Sequence, residues 1–384
     1  MTILTATLRD GTPIILDASR SREQLKLWRT DRTFHCPQCK ERVILKVGTV
    51  RIPHFAHLSD SDCRSSFSEG ESADHLMGKQ LLYTLFSRLG KQPELEPFLP
   101  ELSQRPDLLI RHGDQAAAIE FQCSRIAPDL QQSRSAGYES IGMAPIWMLR
   151  TPPKYEARPA GVDVLSFTSF HQQFFSSSIS PNDTLLTFSP RPHQFHYFSH
   201  LLHMEGNRFL CVHRCLPLHL QTFPFARPKP PDETLLERYR SCYQMHRTAF
   251  LQRALFVSRK GVQDPFLRNC YEMRLHPADM PARIGVPVRN QSAFAVHDCA
   301  WQLDLTISLK RWQLPLSRVP VNRLRQFVHR YPGNSDRQTD ACIAYLQFLQ
   351  RISVKGSGGQ TKKGMEQEFM SLLSDHFLAN QIEN

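Results

Sequence analysis

Two apolar segments joined by the polar turn HGDQ set the strongest limit on the fold of this chain. The segments, residues 107–111 and 116–122, have the length and the apolar character of buried β-strands. Because so short a turn joins neighbouring antiparallel strands, we predict a hairpin that brings Asp107 and Glu120 to the same end. Gln122 lies two residues beyond Glu120, so its side chain is expected on the same face of the strand.

The hairpin lies within a regular succession of predicted elements. Apolar residues recur at helical spacing between residues 71 and 89, which predicts an amphipathic helix that ends at Gly90. A strand at 95–99 precedes the hairpin, and a helix at 129–141 and an apolar strand at 145–149 follow it. The predicted order is helix, three strands, helix and strand, which forms an α/β core.

Asp107 and Glu120 form the predicted catalytic centre. Phosphodiester hydrolysis uses a divalent cation that polarises phosphate and activates water, and magnesium prefers carboxylate oxygens together with several waters. We therefore predict that Asp107 and Glu120 bind Mg²⁺ or Mn²⁺ and that Gln122 orients water or phosphate. The order Asp, turn, Glu-x-Gln resembles the PD-(D/E)XK nuclease pattern, in which Lys is commonest at the position of Gln122. The alternative is that both carboxylates only form a turn or a salt bridge at strand ends.

Two predicted helices carry further candidates. Glu71, His75 and Lys79 recur at i, i+4 and i+8 and share one helix face. This stripe predicts a catalytic Glu71 near the metal and contacts of His75 and Lys79 with DNA phosphate. On the later helix, Arg134 and Tyr138 resemble the Q-x-x-x-Y helix that lies beside the active site in several such nucleases, which predicts further DNA contacts. A solvated charged face and, for Tyr138, packing in the core are the alternatives.

The segment FHCPQCKERVILKVGTVRIPHFAHLSDSDC predicts a small metal-binding module. Cys36 and Cys39 form a C-x2-C knuckle, toward which the following hairpin returns two histidines and a third cysteine. The predicted ligands of a tetrahedral Zn²⁺ are Cys36, Cys39, His57 and Cys63. His54 is a supporting group or an alternative ligand. The zinc would be structural, since so small a segment buries too little apolar area to fold unaided. The alternatives are a module that has lost its metal, or histidines that only pack.

The remaining cysteines give no second clear metal motif. The second group, Cys211, His213 and Cys215, has C-x3-C spacing but no clear partner pair of ligands. This pattern is more typical of a strand with buried thiols than of a metal site. Burial is also the default interpretation for the isolated cysteines, Cys242, Cys270, Cys299 and Cys342. The N-terminus has no signal-peptide pattern, so we expect a cytoplasmic location and reduced thiols.

The positive charge is concentrated in the second part of the chain. Residues 1–150 hold 19 Lys+Arg against 18 Asp+Glu, whereas residues 151–384 hold 28 against 18, and the net charge is +11. A basic body can bind DNA phosphate, although solvated surface arginines would give the same count. No apolar run reaches the roughly 20 residues of a membrane helix, so no membrane insertion is expected.

We divide the chain into three regions. Residues 1–66 form an N-terminal hairpin and a β-rich, zinc-ribbon-like module, and residues 67–152 form the PD-(D/E)XK core in the order αβββαβ. Residues 153–384 form a basic, mainly helical C-terminal region. The Pro-containing stretch TPPKYEARPAG marks the second boundary.

A series of motifs between residues 30 and 150 resembles the competence protein CoiA family. The motifs are CPQC, K-x-G, HFAH and a later Cys, ES-x-x-H-x-x-x-K, RPD, IEFQCS, R-x-x-x-Y and IW-M-L. The resemblance implies a PD-(D/E)XK nuclease domain behind a zinc-finger-like segment. It also implies a role in natural transformation or in DNA processing before recombination. Single-stranded or branched DNA and recombination or competence proteins would be the partners.

Two other functions fit the same residues. One is a recombination accessory protein that binds DNA with little hydrolytic activity, because Gln122 stands where Lys is commonest. The other is a restriction or phage-defence nuclease that shares the core.

Overall fold

The computed structural model describes residues 2–17, 20–49, 51–58, 72–113, 115–175, 184–257, 263–354 and 361–379. Within these ranges the chain has a β-rich N-terminal region, a central sheet and a helical C-terminal region. The predicted mixed α/β fold class is thereby confirmed. None of the described helices is long and apolar enough to cross a membrane.

The N-terminal region contains a sheet of short antiparallel strands, which in the described residues follow the order β1-β6-β5-β4-β2-β3. The strands are β1 (Thr2–Ile3), β2 (Thr5–Thr7), β3 (Pro13–Ile15), β4 (Phe34–His35), β5 (Arg42–Lys46) and β6 (His54–His57). Helix α1 (Arg22–Asp31) connects β3 to β4. It begins at a capping box, in which the Ser21 hydroxyl accepts a hydrogen bond from the Gln24 N–H.

The central sheet has eight strands among the described residues, in the order β11-β14-β13-β12-β10-β9-β8-β7. They are β7 (Glu94–Leu95), β8 (Leu108–His112), β9 (Gln115–Gln122), β10 (Met143–Arg150), β11 (Gly161–Ser166), β12 (Leu185–Ser189), β13 (Gln194–Glu205) and β14 (Arg208–Pro217). Strand β10 is parallel to both of its neighbours, β9 and β12. The other neighbouring strands are antiparallel.

The predicted core elements are present in the predicted order. Strands β8 and β9 form the antiparallel hairpin. Helix α2 (Ala73–Arg88) precedes it, and helix α3 (Pro128–Ser140) follows it and leads to β10. Strand β7 is much shorter than the predicted 95–99, and the residue after it, Glu96, has a φ of 50°, which is not that of an extended strand.

The sheet continues beyond residue 152, where we predicted the end of the core. Strands β11 to β14 all join it, and the short helices α4 (Pro153–Glu156) and α5 (Ser169–Gln172) flank β11. All five residues of strand β12 are buried. Its sequence, LLTFS, is apolar enough for a strand covered on both faces. The division into three domains stays a prediction.

The C-terminal region is helical, as predicted. Its helices within the described residues are α6 (Glu233–Val257), α7 (Pro265–Glu272), α8 (Asp298–Trp312), α9 (Val321–Val328), α10 (Ser335–Val354) and α11 (Lys362–Ala379). Trp301 of α8 and Tyr345 of α10 are fully buried, and they belong to one apolar cluster with Leu202 of β13 and Leu210 of β14. The helices therefore pack against the second half of the central sheet.

The N-terminal sheet and the first half of the central sheet share one apolar core. Phe34 and Phe55 lie with their ring centroids 4.9 Å apart, and they belong to the same cluster as Leu82 and Phe86 of α2 and Ile110 of β8. The Cys/His segment is thus packed onto the region that carries the two predicted catalytic carboxylates.

Candidate active site

Asp107 lies immediately before β8 and contacts helix α2. Its Oδ2 accepts a hydrogen bond from the Phe121 N–H at 2.8 Å and lies 3.1 Å from Nε2 of His75. The Lys79 ammonium is 3.8 Å from Oδ1. Burial alone would raise the pKa of Asp107, but the charges of His75 and Lys79 and these hydrogen bonds hold it well below its usual value. Asp107 is therefore ionised, which is the form that binds a cation.

Glu120 lies on β9 and contacts helix α3. The guanidinium of Arg134 and the hydroxyl of Tyr138 both donate to its Oε1. Burial raises the pKa of Glu120, and the nearby negative charge of Asp107 raises it further, against the opposing effect of Arg134. Leu108 pairs with Ile119 in the hairpin, so Asp107 and Glu120 are the next residues at the same end of the two strands.

The hairpin brings Asp107 and Glu120 to one end, as the sequence predicts, but each carboxylate has its own protein cations. Asp107 is paired with α2, and Glu120 is paired with α3. Among the described residues, neither belongs to a group of three or more His, Cys, Asp or Glu donors within 4.8 Å of one another. The donor set still suits Mg²⁺ or Mn²⁺, since these ions use one or two carboxylates and complete their shells with water. Both α3 hydrogen bonds go to Oε1 of Glu120, rather than to Oε2.

The other two predicted catalytic residues are Gln122 and Glu71. Gln122 donates a hydrogen bond from Nε2 to the Ser124 carbonyl at 2.9 Å, so its side chain is turned toward the loop that follows β9. Glu71 lies outside the described residues. The roles of Gln122 and Glu71 stay predictions.

Lys79 is buried, which does not fit the predicted contact with DNA phosphate. Its side chain is 1% exposed, and its ammonium is 2.5 Å from Oε1 of Glu96. Oε2 of Glu96 accepts hydrogen bonds from Arg105 at 2.9 Å, from the Leu4 N–H at 3.0 Å and from the Thr5 hydroxyl at 3.1 Å. Lys79 lies on the face of α2 that turns inward, where an ammonium needs a carboxylate partner.

Glu96 has a structural role that the sequence did not predict. It joins α2 to the N-terminal sheet, because one carboxylate receives hydrogen bonds from both. Burial would raise its pKa, but the charges of Lys79 and Arg105 hold the pKa below its usual value. A Glu inside a predicted apolar strand was the available signal, since an acid there requires a buried partner.

Arg134 and Tyr138 are also poor candidates for direct phosphate contacts. Tyr138 is fully buried, and Arg134 is nearly so. Arg134 also donates to Tyr138 Oη at 3.0 Å and to the Arg105 carbonyl at 3.1 Å. Helix α3 therefore lies beside the predicted catalytic residue Glu120. Its Arg134 and Tyr138 side chains position the Glu120 carboxylate. His75 remains the more accessible of the predicted phosphate contacts, with a side chain that is 20% exposed.

The predicted zinc module brings three of its donors together. Cys36, Cys39 and His57 each place one donor atom within 4.8 Å of the others, and Cys39 Sγ is 3.4 Å from His57 Nε2. The knuckle turns through Lys40, whose φ is 62°, and β6 returns His57 to it. Two sulfur donors and one imidazole suit zinc. Cys63 lies outside the described residues.

The structure distinguishes between the two histidines of the HFAH motif. The His54 ring contacts the Ile52 carbonyl, with Nδ1 at 2.9 Å from the oxygen, and His54 is not part of the three-donor group. His57 is therefore the candidate ligand. His54 supports the strand from within the core.

Comparison with known proteins relates these sites to a family. A family model described as competence protein CoiA, nuclease-like domain, matches residues 71–227, and one described as competence protein CoiA, N-terminal domain, matches residues 17–66. The competence protein CoiA of Bacillus subtilis (strain 168) is 29% identical over 338 residues, covering 83% of this chain and 86% of that protein. The chain belongs to the competence protein CoiA family. No solved structure matches it significantly.

Both candidate sites lie inside the CoiA matches. Cys36, Cys39 and His57 fall in the N-terminal match, and Asp107 and Glu120 fall in the nuclease-like match. The nuclease-like match extends to residue 227 and so includes β11 to β14. The CoiA nuclease-like domain therefore corresponds to the whole central sheet.

A second donor cluster lies in the same CoiA nuclease-like region. The group consists of His196, His213 and Cys215, whose donor atoms all lie within 4.8 Å of one another. Cys211, which we grouped with the last two on the basis of spacing, lies instead in an apolar cluster with Phe198. His196 was not recognised because it is on the neighbouring strand, β13, and reaches the group through the β13–β14 register.

Proposed function

We propose that this chain is a metal-dependent deoxyribonuclease that processes DNA in natural competence or before recombination. The observation that carries the proposal is the convergence of Asp107 and Glu120 at one end of the β8–β9 hairpin, inside a region that matches a nuclease-like domain. Two neighbouring carboxylates, of which Glu120 is buried and Asp107 is partly buried, are unfavourable unless cations balance them. Side chains of α2 and α3 supply part of that balance, and a divalent cation held by both carboxylates would add to it and supply the chemistry.

The side chains at this site would have separate roles in the reaction. Asp107, already ionised, and Glu120, through Oε2, would hold Mg²⁺ or Mn²⁺. Such an ion polarises the phosphate and lowers the pKa of the attacking water. Arg134 would keep Glu120 oriented through Oε1 and limit the rise of its pKa. His75, partly exposed beside Asp107, would meet the substrate phosphate.

Gln122 limits the mechanism to one without a protein base at that position. Its amide does not titrate, so it can orient water or phosphate but cannot remove the proton from water. The proton would pass to solvent or to the substrate phosphate. This predicts a rate that rises with pH until the attacking water is ionised.

The proposed substrate is DNA, in single-stranded or branched form. Residues 151–384 carry 28 Lys+Arg against 18 Asp+Glu, which favours binding of a polyanion through counterion release. We further propose Zn²⁺ as the structural ion of the N-terminal module, on the evidence of its two thiols and imidazole. Competence or recombination proteins are proposed as partners.

The test is cleavage of labelled single-stranded, double-stranded and branched DNA with Mg²⁺ or Mn²⁺. Asp107→Asn and Glu120→Gln should abolish cleavage, because each removes one charge from the cation site. Glu94→Gln is the matched control, since Glu94 is an exposed carboxylate of the same sheet and should cleave like the wild type. If both active-site variants cleave at the wild-type rate, the proposed site is wrong.

One observation favours a second function, a DNA-binding accessory protein without hydrolysis. Asp107 and Glu120 are paired with cationic side chains of α2 and α3, so a divalent ion must compete with these side chains. The accessory function predicts that the wild type binds DNA but cleaves no form of it with either metal.

A further inference from the structure

The central sheet contains a cluster of metal-ligating side chains that the proposed nuclease reaction does not use. His196 of β13 lies directly opposite Cys215 of β14, and His213 precedes Cys215 by two residues. Because side chains alternate along a strand, all three lie on the same face of the sheet. The register, rather than spacing along the chain, creates the cluster.

The donor atoms of the cluster converge. Nδ1 of His196 is 3.0 Å from Nε2 of His213, and Sγ of Cys215 is 3.4 Å from each of these nitrogens. Zinc bonds of about 2.0–2.1 Å to nitrogen and about 2.3 Å to sulfur place the ligand atoms of a tetrahedron about 3.3–3.6 Å apart. The triangle of donors is therefore close to one face of a zinc tetrahedron, and a small outward shift of the two imidazoles would complete the fit.

The surroundings of the cluster favour a ligand over a solvated polar group. His196 and His213 are almost fully buried. Phe198 stacks on the His213 ring at a centroid distance of 4.7 Å, so an apolar side chain covers the cluster. Cys215 is only half-buried, so it provides a route from solvent.

We propose that His196, His213 and Cys215 bind a zinc ion in the central sheet, separate from the N-terminal module. The described residues supply three donors to this group, so a water molecule would complete the tetrahedron. Three protein ligands and one exchangeable position are typical of a zinc ion that can accept a further ligand. The proposal stands independently of the nuclease activity, because neither Asp107 nor Glu120 takes part.

Metal content tests the proposal on the purified full-length protein. The wild type should hold one equivalent of zinc in this cluster in addition to that of the N-terminal module. Cys215→Ser should lose one equivalent, because it removes the thiolate. Cys242→Ser is the matched control, since Cys242 is also half-buried but lies on α6, and it should retain the wild-type content. Equal zinc in the two variants would overturn the proposal.

A second measurement needs no substitution and so does not depend on whether a variant folds. The wild-type protein is alkylated with and without a zinc chelator, and each modified cysteine is identified by mass spectrometry. A metal-bound thiolate is shielded, so labelling of Cys215 should rise about tenfold or more on chelation, while that of Cys242 stays constant. Equal labelling of Cys215 under both conditions would show that this thiol binds no zinc.

Discussion

Replacement of Lys79 by methionine should destabilise the protein strongly, because it leaves a buried carboxylate without its closest cation. The Lys79 and Glu96 side chains are 1% and 3% exposed, and their charged atoms are 2.5 Å apart. Loss of one partner from a buried ion pair costs about 3–5 kcal/mol. Glu96 would keep Arg105 at 2.9 Å and the Leu4 N–H at 3.0 Å. We therefore expect a loss near the lower end, about 3 kcal/mol of unfolding free energy.

The matched control is Arg111→Met. Arg111 pairs with Glu94 at 3.4 Å on the same sheet, but these side chains are 59% and 51% exposed. An exposed pair contributes about 0–1 kcal/mol. Urea-induced unfolding, followed by circular dichroism, gives the free-energy difference for each variant. If Lys79→Met and Arg111→Met shift the transition equally, the buried pair does not stabilise the fold.

The same pair predicts how this difference depends on pH. The folded-state pKa of Glu96 lies below its usual value. Its contribution is therefore fully present above the ordinary glutamate pKa of about 4.3 and is lost as the pH falls through the lower folded-state value. The difference between the wild type and Lys79→Met should consequently be constant near neutral pH and shrink in acid. A difference that grows in acid would contradict the assigned charge state.

Three further outcomes follow from single sites. Burial raises the pKa of Asp298 to about 7, so ionisation of Asp298 opposes folding as the pH rises from about 4 to 7. The free energy of unfolding of Asp298→Asn, measured relative to the wild type, should therefore increase over that pH range. Gly78→Ala should lower the melting temperature, because the added Cβ would lie 2.1 Å from a ring carbon of Phe121. Overpacking of this kind costs about 1–3 kcal/mol. An unchanged melting temperature would show that the Phe121 ring moves freely. Cys36→Ser combined with Cys39→Ser should remove one equivalent of zinc and lower the melting temperature, and unchanged zinc by elemental analysis would contradict the module.

The sequence predicted those parts of the fold that local patterns determine. The β8–β9 hairpin, α2 and α3 follow from apolar periodicity and a short turn, and this placed Asp107 and Glu120 at one end. The Cys36–Cys39 knuckle and the returning His57 follow from spacing within a small segment. In each case the interacting residues are close in sequence.

The sequence did not predict features that depend on long-range register or on which helix face turns inward. Lys79 and His75 share one stripe of α2, yet Lys79 is buried and His75 is partly exposed. Glu96 meets Leu4 across 92 residues. His196 joins Cys215 only because β13 and β14 pair in one particular register. Periodicity within a segment carries no information on such partners.

The position of β12 beside β10 affects how the protein can be dissected. The Thr151 N–H bonds to the Phe188 carbonyl at 3.0 Å, and Leu149 pairs with Thr187, so β10 is an interior strand. A fragment that stops at residue 152 would leave the backbone groups of β10 open along an apolar edge. Such an edge recruits other chains. Expression of residues 67–152 alone should therefore yield aggregates, whereas a fragment through residue 227 would retain every strand of the sheet.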